Sequence, residues 1–557
     1  EYPDDISATE EGDQELPFNR IRQCLARHGV KQHWWNGEVE DELGKAVDGI
    51  RRKQSETGSE VSDEDGTEDR QDDVDQDFHG KSGLGKRAGE TVDDHTLDSG
   101  KSFYMTVKTA MTGAAPHPFL EGPIASRIAR LAAPGLLGGL MQSILYVADG
   151  WFVGGLGPLA LAGVALVFPL FALSVMFSAG AMGGAVVAAT ARALGAKDHE
   201  AAGALVRTAL ILAAFGGAFS ALIIWLFGPG LFRMLGGSGT VLQTAIDYAA
   251  VLFPGIIVVW LFNMLASLLR GSGDMLRPAL GLGVSVSMHL LAASLLVMGI
   301  GPFPSLGIEG AALSILIGYG AGSLYLAAYL FHINRPDWVR ITGPVSWRQV
   351  YIVGRRGAFA SVQSVLTIAM AMVVTGYMAR IGPQSLAGYG IGVRLELVII
   401  PIIFAFGSAS IAMAGASVGA GLRARALRVS WTGSWFAALS VGLIGTVLAV
   451  APWLWSGLFT EDAEIAATTA RYLRFVGPAY TFFGLGLCLY FSSQAMNTLI
   501  LPVTGAGLRL AVLLGGGVLL LDQAATDENT VFLLVAGAMA TYGVFNALAL
   551  RLGPWRR

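Results

Sequence analysis

The sequence has few charged residues and almost no cysteine. Charged residues make up 14% of the 557 residues and hydrophobic residues 53%, whereas about a quarter of an average soluble protein is charged. This composition argues against a large water-soluble protein. The two cysteines, Cys24 and Cys488, are too few for a disulfide framework or a structural zinc site. The 73 glycines follow no Gly-X-Y period, which excludes a collagen-like chain and suits closely packed membrane helices.

The charges are distributed unevenly along the chain. Residues 1–100 contain 27 acidic and 12 basic residues, and residues 101–557 contain 15 acidic and 26 basic residues. The acidic segment is too polar to bury enough apolar surface for a folded core. We therefore expect residues 1–120 to be a disordered tail that is dispensable or foreign to the native coding sequence, followed by an all-helical membrane domain.

Long apolar runs recur from Ile124 onward, and each is long enough to cross about 30 Å of hydrocarbon. We predict twelve transmembrane helices at approximately residues 126–153, 160–191, 203–229, 245–269, 278–300, 308–332, 350–379, 386–416, 430–455, 471–495, 501–521 and 530–550.

The arginines test this count, because cytoplasmic connections of membrane proteins are rich in Lys and Arg. If the twelve runs alternate in direction, one side receives most of the basic residues, among them Arg127, Arg192, Arg270, Arg340, Arg356, Arg425, Arg509 and Arg551. The other side receives mainly acidic residues, at 461–464 and 522–528. We therefore expect a multi-pass protein of the cell (inner) membrane with both termini in the cytoplasm.

The membrane domain contains an internal repeat. The pattern Gly-Pro-x-x-Leu-Ala-Gly at 157–163 recurs 225 residues later at 382–388. Tyr248, Pro254 and Pro278 recur 224 residues later as Tyr472, Pro478 and Pro502. The repeat spans six helices, which predicts two parallel pseudo-symmetric lobes, at 121–333 and 350–557, joined by a cytoplasmic linker at 334–349. Such lobes are typical of transporters with a substrate path between them.

Two acidic residues lie well inside apolar runs, Asp149 in the first and Glu396 in the eighth. A charged side chain there costs about 2.5–3.5 kcal/mol on insertion scales, so each acid is a candidate for ion coupling. The low dielectric also favours the neutral acid, which allows proton exchange near neutral pH. Gln142, Tyr146 and Asp149 have helical spacing and predict a polar stripe that faces the substrate. The alternatives are a structural, hydrogen-bonded Asp149 and an ion pair between Glu396 and Arg394.

Other polar or adaptable side chains inside the runs are candidates for a substrate cavity. Gln363 and Gln494 are amides within spans, and they either line the cavity or join helices by hydrogen bonds. Met176 and Tyr490 are further candidates, since methionine-containing surfaces adapt to varied ligands. The alternative for both is a position against lipid or between packed helices.

Three segments of the membrane domain carry a resemblance to a known family. They are residues 131–155 (LAAPGLLGGLMQSILYVADGWFVGG), Leu268–Asp274 (LLRGSGD) and Tyr389–Glu396 (YGIGVRLE). They resemble the multidrug and toxic compound extrusion (MATE) family, and most closely its DNA-damage-inducible (DinF-like) prokaryotic branch, over about residues 124–550. The resemblance implies a V-shaped cleft between the lobes and export of cationic or amphipathic compounds in exchange for protons or sodium ions. It also implies that Asp149 is the coupling aspartate.

The fifth run departs from the sodium-associated members that it resembles. Those members tend to have Asn-x-x-x-Asp before a Gly-x-Gly-Pro end, and the corresponding positions here are His289 and Ala293. A sodium site needs several oxygen ligands, whereas histidine titrates near physiological pH. We therefore favour protons over sodium as the coupling ion and include His289 as a candidate. The alternative is a histidine that only joins helices by hydrogen bonds.

Two other classes of function remain open. A lipid-linked oligosaccharide flippase of the wider superfamily would need a strongly cationic cavity, and few arginines lie inside the runs. A membrane enzyme would need clustered acids for Mg²⁺ or a nucleophile–base pair, and the cytoplasmic connections contain no such cluster. We expect no catalytic residue, no metal site and no cofactor beyond the coupling proton or sodium ion. The expected partners are small amphipathic or cationic substrates and the lipid bilayer, with no nucleic acid, for a monomeric protein.

The topology is directly testable. Single cysteines introduced at positions 461–464 should react with a membrane-impermeant thiol reagent from outside the cell, and cysteines at 340 or 425 should react only after the membrane is permeabilised. The reason is the alternating excess of arginine. Labelling of 461–464 from the cytoplasmic side alone would contradict the assignment.

Overall fold

The computed structural model describes residues 119–299, 304–333, 335–521 and 527–553. The predicted tail lies outside the described residues except for its last two positions. Within the described ranges, the chain is helical throughout the predicted membrane domain.

Among the described residues, twelve successive helices are long and apolar enough to span a membrane, if the bent fourth helix is counted as one span. They are α1 Ile124–Gly155, α2 Pro158–Gly195, α3 His199–Met234, α4 Gly239–Leu252 plus Ile257–Ser272, α5 Leu276–Leu296, α6 Gly307–Ile333, α7 Trp347–Ile381, α8 Pro383–Gly419, α9 Arg423–Val450, α10 Ala463–Ala495, α11 Ile500–Leu521 and α12 Glu528–Leu552. The predicted all-helical class and the twelve spans are confirmed.

The boundaries differ from the apolar runs where polar residues cap a helix. Helix α10 begins at Ala463, ahead of the predicted residue 471, because the Asp462 carboxylate accepts hydrogen bonds from the backbone N–H groups of Glu464 (2.9 Å) and Ile465 (3.1 Å). Such caps satisfy donors that have no partner within the helix. Helix α4 bends by 52° at Pro254-Gly255, which lie between its two segments.

Helices α1–α6 and α7–α12 form two lobes around separate apolar cores. Each lobe contributes the beginning of its first helix to the other lobe. Ile128 and Ala132 of α1 pack in the core of the second lobe, and Val353 of α7 packs in that of the first. This reciprocal exchange joins the two lobes.

The internal repeat corresponds to the same helix contact in both lobes. A Cβ on Gly163 of α2 would lie 2.7 Å from Thr244 Cγ2 of α4, and a Cβ on Gly388 of α8 would lie 2.6 Å from Thr468 Cβ of α10. Both glycines therefore allow two backbones to approach closely, as small residues do in membrane helix packing. The repeat thus encodes equivalent helix packing in the two lobes.

The lobes meet at the end of the bundle where α1 begins, which we call the basic end because Arg127, Arg192, Arg356 and Arg425 lie there. A Cβ on Gly195, at the end of α2, would overlap the Ala416 carbonyl oxygen of α8, and a Cβ on Gly419 would overlap the Arg192 carbonyl oxygen. Arg192 Nη1 also donates to the carbonyl oxygens of Gln494 (3.1 Å) and Ala495 (2.8 Å).

The opposite end of the second lobe is held by one buried carboxylate. Glu528, at the start of α12, accepts hydrogen bonds from Ser385 of α8 and Thr468 of α10. Its Oε2 also forms an ion pair with Arg471 Nη2 at 2.6 Å. The starts of three helices are therefore fixed together away from the basic end.

The close contact of the lobes predicts a specific sensitivity to added volume. Gly195→Ala should destabilise the described arrangement by about 1–3 kcal/mol, the usual cost of overpacking, and lower the thermal unfolding temperature of the purified protein. Gly376→Ala in α7 is the matched control, because its Cβ would meet open space. Equal unfolding temperatures for the two variants would contradict a tight contact at the basic end.

Candidate functional site

A cavity of about 300 Å³ lies between the two lobes. It is lined by α1, α2, α4 and α5 from the first lobe and by α7, α8 and α10 from the second. Its wall is mainly apolar and aromatic, with contributions from Phe168, Phe262, Phe404, Phe483 and Phe491. A mainly apolar cavity with a few polar groups is typical of a small-molecule site.

Most of the residues that the sequence singled out are brought together here. The cavity lining includes Gln142, Tyr146, Met176, Gln363, Glu396 and Tyr490. Asp149, His289 and Gln494 are not among the lining residues.

The polar stripe on α1 connects the cavity to Asp149. The Gln142 amide and the Tyr319 hydroxyl lie 3.3 Å apart, and the Tyr146 ring packs edge-on against Phe168 with ring centroids 5.5 Å apart. Asp149 follows Tyr146 by almost one helical turn. Its Oδ1 is buried and has no hydrogen-bond partner, and its charge lies within electrostatic reach of the buried Tyr248 of α4.

Glu396 lies where α8 is interrupted. The first segment of the helix ends at Val393 and the second begins at Glu396. Arg394 does not pair with this acid, since its guanidinium packs over the Phe459 ring at 5.4 Å. The cation within electrostatic reach of Glu396 is instead Arg509 of α11.

Two arginines have positions that the sequence analysis missed. The alternation of basic residues predicts that Arg270 and Arg509 lie in connections, but Arg270 lies in the last turn of α4 and lines the cavity. Arg509 lies inside α11, is 4% exposed, and packs over the Phe483 ring at 4.7 Å. Arg509 falls inside the predicted run 501–521, which was the available signal, whereas Arg270 directly follows the run 245–269.

His289 is fully buried between α5 and α6. Its Nδ1 lies 3.2 Å from the Ser314 hydroxyl oxygen, and its Nε2 has no hydrogen-bond partner. Ala293, one turn later, is also fully buried. The ring therefore joins two helices of the first lobe, with one nitrogen atom unused.

The three remaining polar candidates connect helices by hydrogen bonds. Gln494 Nε2 donates to the Gly180 carbonyl oxygen at 3.3 Å, across the two lobes. Gln363 Nε2 donates to the Tyr542 hydroxyl at 3.0 Å, and the Tyr490 hydroxyl donates to the Ala360 carbonyl oxygen at 2.9 Å. Gln363 and Tyr490 thus line the cavity and also fix helices within the second lobe.

The part of the chain that the structure describes contains no group of three or more His, Cys, Asp and Glu side chains that could hold a metal ion. Asp149 and Glu396 lie in different lobes, on α1 and α8. They are therefore two separate acidic positions.

A family model described as MatE matches residues 134–295 and 360–514. The two matched segments fall one in each lobe and together cover more than half of the chain. The chain belongs to the MatE family. Proteins of this family are transporters and not enzymes, so the membrane-enzyme alternative is not supported. MatE proteins of known structure have twelve membrane helices in two lobes, as described above.

Curated relatives match part of this MatE chain. It is 30% identical over 263 residues to "Probable multidrug resistance protein YoeA" of Bacillus subtilis. The matched region covers 46% of this chain and 57% of that protein. It is 27% identical over 281 residues to the "FAD transporter" of Shewanella oneidensis. That matched region covers 50% of this chain and 61% of the relative. The match thus spans about three fifths of these relatives.

Solved structures share the MatE fold over nearly their whole length. An outward-facing multidrug resistance MATE family transporter of the MOP superfamily is 23% identical, with a TM-score of 0.71, and the match covers 79% of this chain and 98% of that one. A MOP superfamily transporter from Pyrococcus furiosus is 22% identical with a TM-score of 0.72 and the same coverage. At this identity the likeness shows the fold alone.

Proposed function

We propose that this MatE protein is a secondary active exporter of amphipathic and cationic compounds, driven by the entry of protons. The observation that carries the proposal is the position of Asp149. Its buried, unpaired carboxylate oxygen lies almost one helical turn beyond Tyr146, a residue that lines the cavity between the lobes. A change in the charge of Asp149 can therefore act on α1 next to bound substrate.

A proton fits the surroundings of Asp149 better than a sodium ion does. A hard cation needs several oxygen ligands, and the described residues contain no group of three or more His, Cys, Asp and Glu side chains that could hold a metal ion. Ala293 and His289 stand where sodium-associated members tend to have Asp and Asn, and both are buried. His289 is a second proposed proton-exchanging group, and Glu396 is a third, beside the cavity.

In the proposed cycle, the lobes alternate between two arrangements around the cavity. The described arrangement is closed at the basic end, where Arg192 bonds to the end of α10. We propose that this end faces the cytoplasm, that both termini lie there, and that the protein works as a monomer in the cell (inner) membrane. Protonation of Asp149 would favour one arrangement and substrate the other, as coupling of two ligands requires.

Two finer assignments belong to the same proposal. We place the protein in the DinF-like prokaryotic branch, on the basis of the residues around Asp149 and Glu396. We do not favour a lipid-linked oligosaccharide flippase. Recognition of a pyrophosphate head group calls for several cationic residues, and Arg270 is the only arginine among the described residues that line the cavity.

The test is Asp149→Asn in proteoliposomes with an imposed proton gradient. Asn keeps the shape and hydrogen-bonding capacity but cannot exchange a proton, so gradient-driven transport of rhodamine 6G should fall to the level of protein-free vesicles. Binding of the dye to the purified variant should be largely retained. The control is Glu309→Gln, which removes an exposed acid of the same lobe and should transport normally.

The coupling ion is tested with the unmodified protein. Transport should persist without sodium and stop when a protonophore collapses the proton gradient. A requirement for sodium at a fixed proton gradient would reject the proton assignment. An Asp149→Asn protein that still transports would remove this residue from the mechanism.

A further inference from the structure

A second cavity, of about 520 Å³, lies at the basic end of the molecule. It is bounded by the end of α2 and the start of α3 in the first lobe, and by the start of α7 in the second. It shares no lining residue with the cavity between the lobes. This basic-end cavity is therefore a separate candidate binding site.

Three arginines line the basic-end cavity, Arg192 of α2 and both Arg348 and Arg356 of α7. Arg192 and Arg356 are partly buried and lie within electrostatic reach of each other. Two like charges that are held together away from water are unfavourable, and a bound anion removes that cost. The charge of this cavity thus favours an anionic ligand.

The acids of the basic-end cavity do not form ion pairs with these arginines. Asp198 caps α3, because its Oδ1 accepts a hydrogen bond from the backbone N–H of Ala201 at 2.8 Å. Glu200 is exposed in the first turn of the same helix. Among the residues that the structure describes, the one ion pair is Arg471 with Glu528, at the opposite end. The arginines are therefore available to a ligand.

Arg192 has hydrogen-bond donors that the protein does not use. Its Nη1 donates to the carbonyl oxygens of Gln494 and Ala495, and these two bonds fix the position of the guanidinium group. Nε and Nη2 carry three further N–H donors. Such a group matches the oxygens of a phosphate. A phosphate held by both Arg192 and Arg356 would also bridge α2 of the first lobe and α7 of the second.

The residues beside the cavity indicate that it opens at the level of lipid head groups. Trp347 and Tyr351, about one helical turn apart at the start of α7, are exposed. Exposed Trp and Tyr are enriched where membrane helices meet the head groups, and basic pockets between membrane helices bind anionic head groups. The lining also includes the apolar Leu205 and Val353. A phosphate site with an apolar wall at this level fits a phospholipid better than a soluble anion.

We propose that the basic-end cavity binds an anionic phospholipid, and that Arg192 and Arg356 recognise its phosphate group. The site is separate from the cavity between the lobes, so the proposal goes beyond the proposed function and does not depend on it. A soluble phosphate compound shares the same chemistry, and the experiment distinguishes the two sources.

The test compares phosphatidylglycerol that has two oleoyl chains with dioleoylglycerol, which has the same chains without the phosphate. Each lipid is titrated into the delipidated full chain in detergent, and bound lipid is counted by native mass spectrometry. The protein should bind phosphatidylglycerol about ten times more tightly than dioleoylglycerol, as expected for charge-assisted hydrogen bonds. Glycerol 3-phosphate, the soluble probe, should bind far more weakly than phosphatidylglycerol.

The matched variants are neighbours on α7. Arg356→Gln should abolish most of the preference for phosphatidylglycerol. Arg355→Gln is the control, because Arg355 is exposed and does not line the cavity, and adjacent helical residues point about 100° apart. If Arg356→Gln does not fold, Arg348→Gln carries the test. It removes an exposed arginine of the lining and should weaken binding about threefold, as expected for a solvent-exposed charge.

Equal affinity of the unmodified protein for the two lipids would overturn the proposal. Equal preferences in Arg356→Gln and Arg355→Gln would also overturn it, because the bound lipid would then lie elsewhere on the protein. Binding of glycerol 3-phosphate as tight as that of phosphatidylglycerol would reject the lipid as the ligand and assign the cavity to soluble phosphate compounds.

Discussion

The arrangement of the molecule depends on the backbone contact between the ends of α2 and α8 at the basic end. Gly195 and Gly419 have no side chain there, so each helix rests against a carbonyl oxygen of the other. Membrane helices gain little from the hydrophobic effect when they associate, and close packing of small residues takes its place. With the lobes joined at this end, the cavity between them is lined by α1, α2, α4 and α5 of the first lobe and by α7, α8 and α10 of the second.

The few charges inside the membrane region divide into distinct roles. Asp149 in the first lobe has a buried, unpaired carboxylate oxygen, whereas Glu396 in the second lobe lies within electrostatic reach of the buried Arg509. An opposite charge beside an acid favours its ionised form, whereas burial in a low dielectric favours the neutral acid. The two lobes have equivalent helix contacts at Gly163 and Gly388, but the acids Asp149 and Glu396 have different charged neighbours. This difference favours ion coupling in the first lobe.

The sequence predicted the architecture well because lipid imposes simple rules. Apolar runs gave the twelve helices, and the repeated glycines 163 and 388 marked the same helix contact in both lobes. Side-chain positions near helix ends were harder. The rule that places arginine in cytoplasmic connections misassigned Arg270 and Arg509. It cannot distinguish an arginine in a connection from one in the last turn of a helix, such as Arg270, or from one buried inside a helix, such as Arg509. The bend of α4 was also missed: Pro254 is followed by glycine and breaks the helix, whereas the equivalent Pro478 is followed by alanine and lies inside a continuous α10.

Exchange of a proton for substrate at Asp149 is the central claim, and proton release on binding measures it most directly. The purified protein is titrated with rhodamine 6G near neutral pH in weak buffer that contains a pH-sensitive dye. Linkage between the two ligands predicts release of a proton as substrate binds, up to about one per molecule. The release should be lost in Asp149→Asn and preserved in Glu309→Gln, which removes an exposed acid of the same lobe. Equal release by Asp149→Asn and the unmodified protein, or no release by either, would contradict the account.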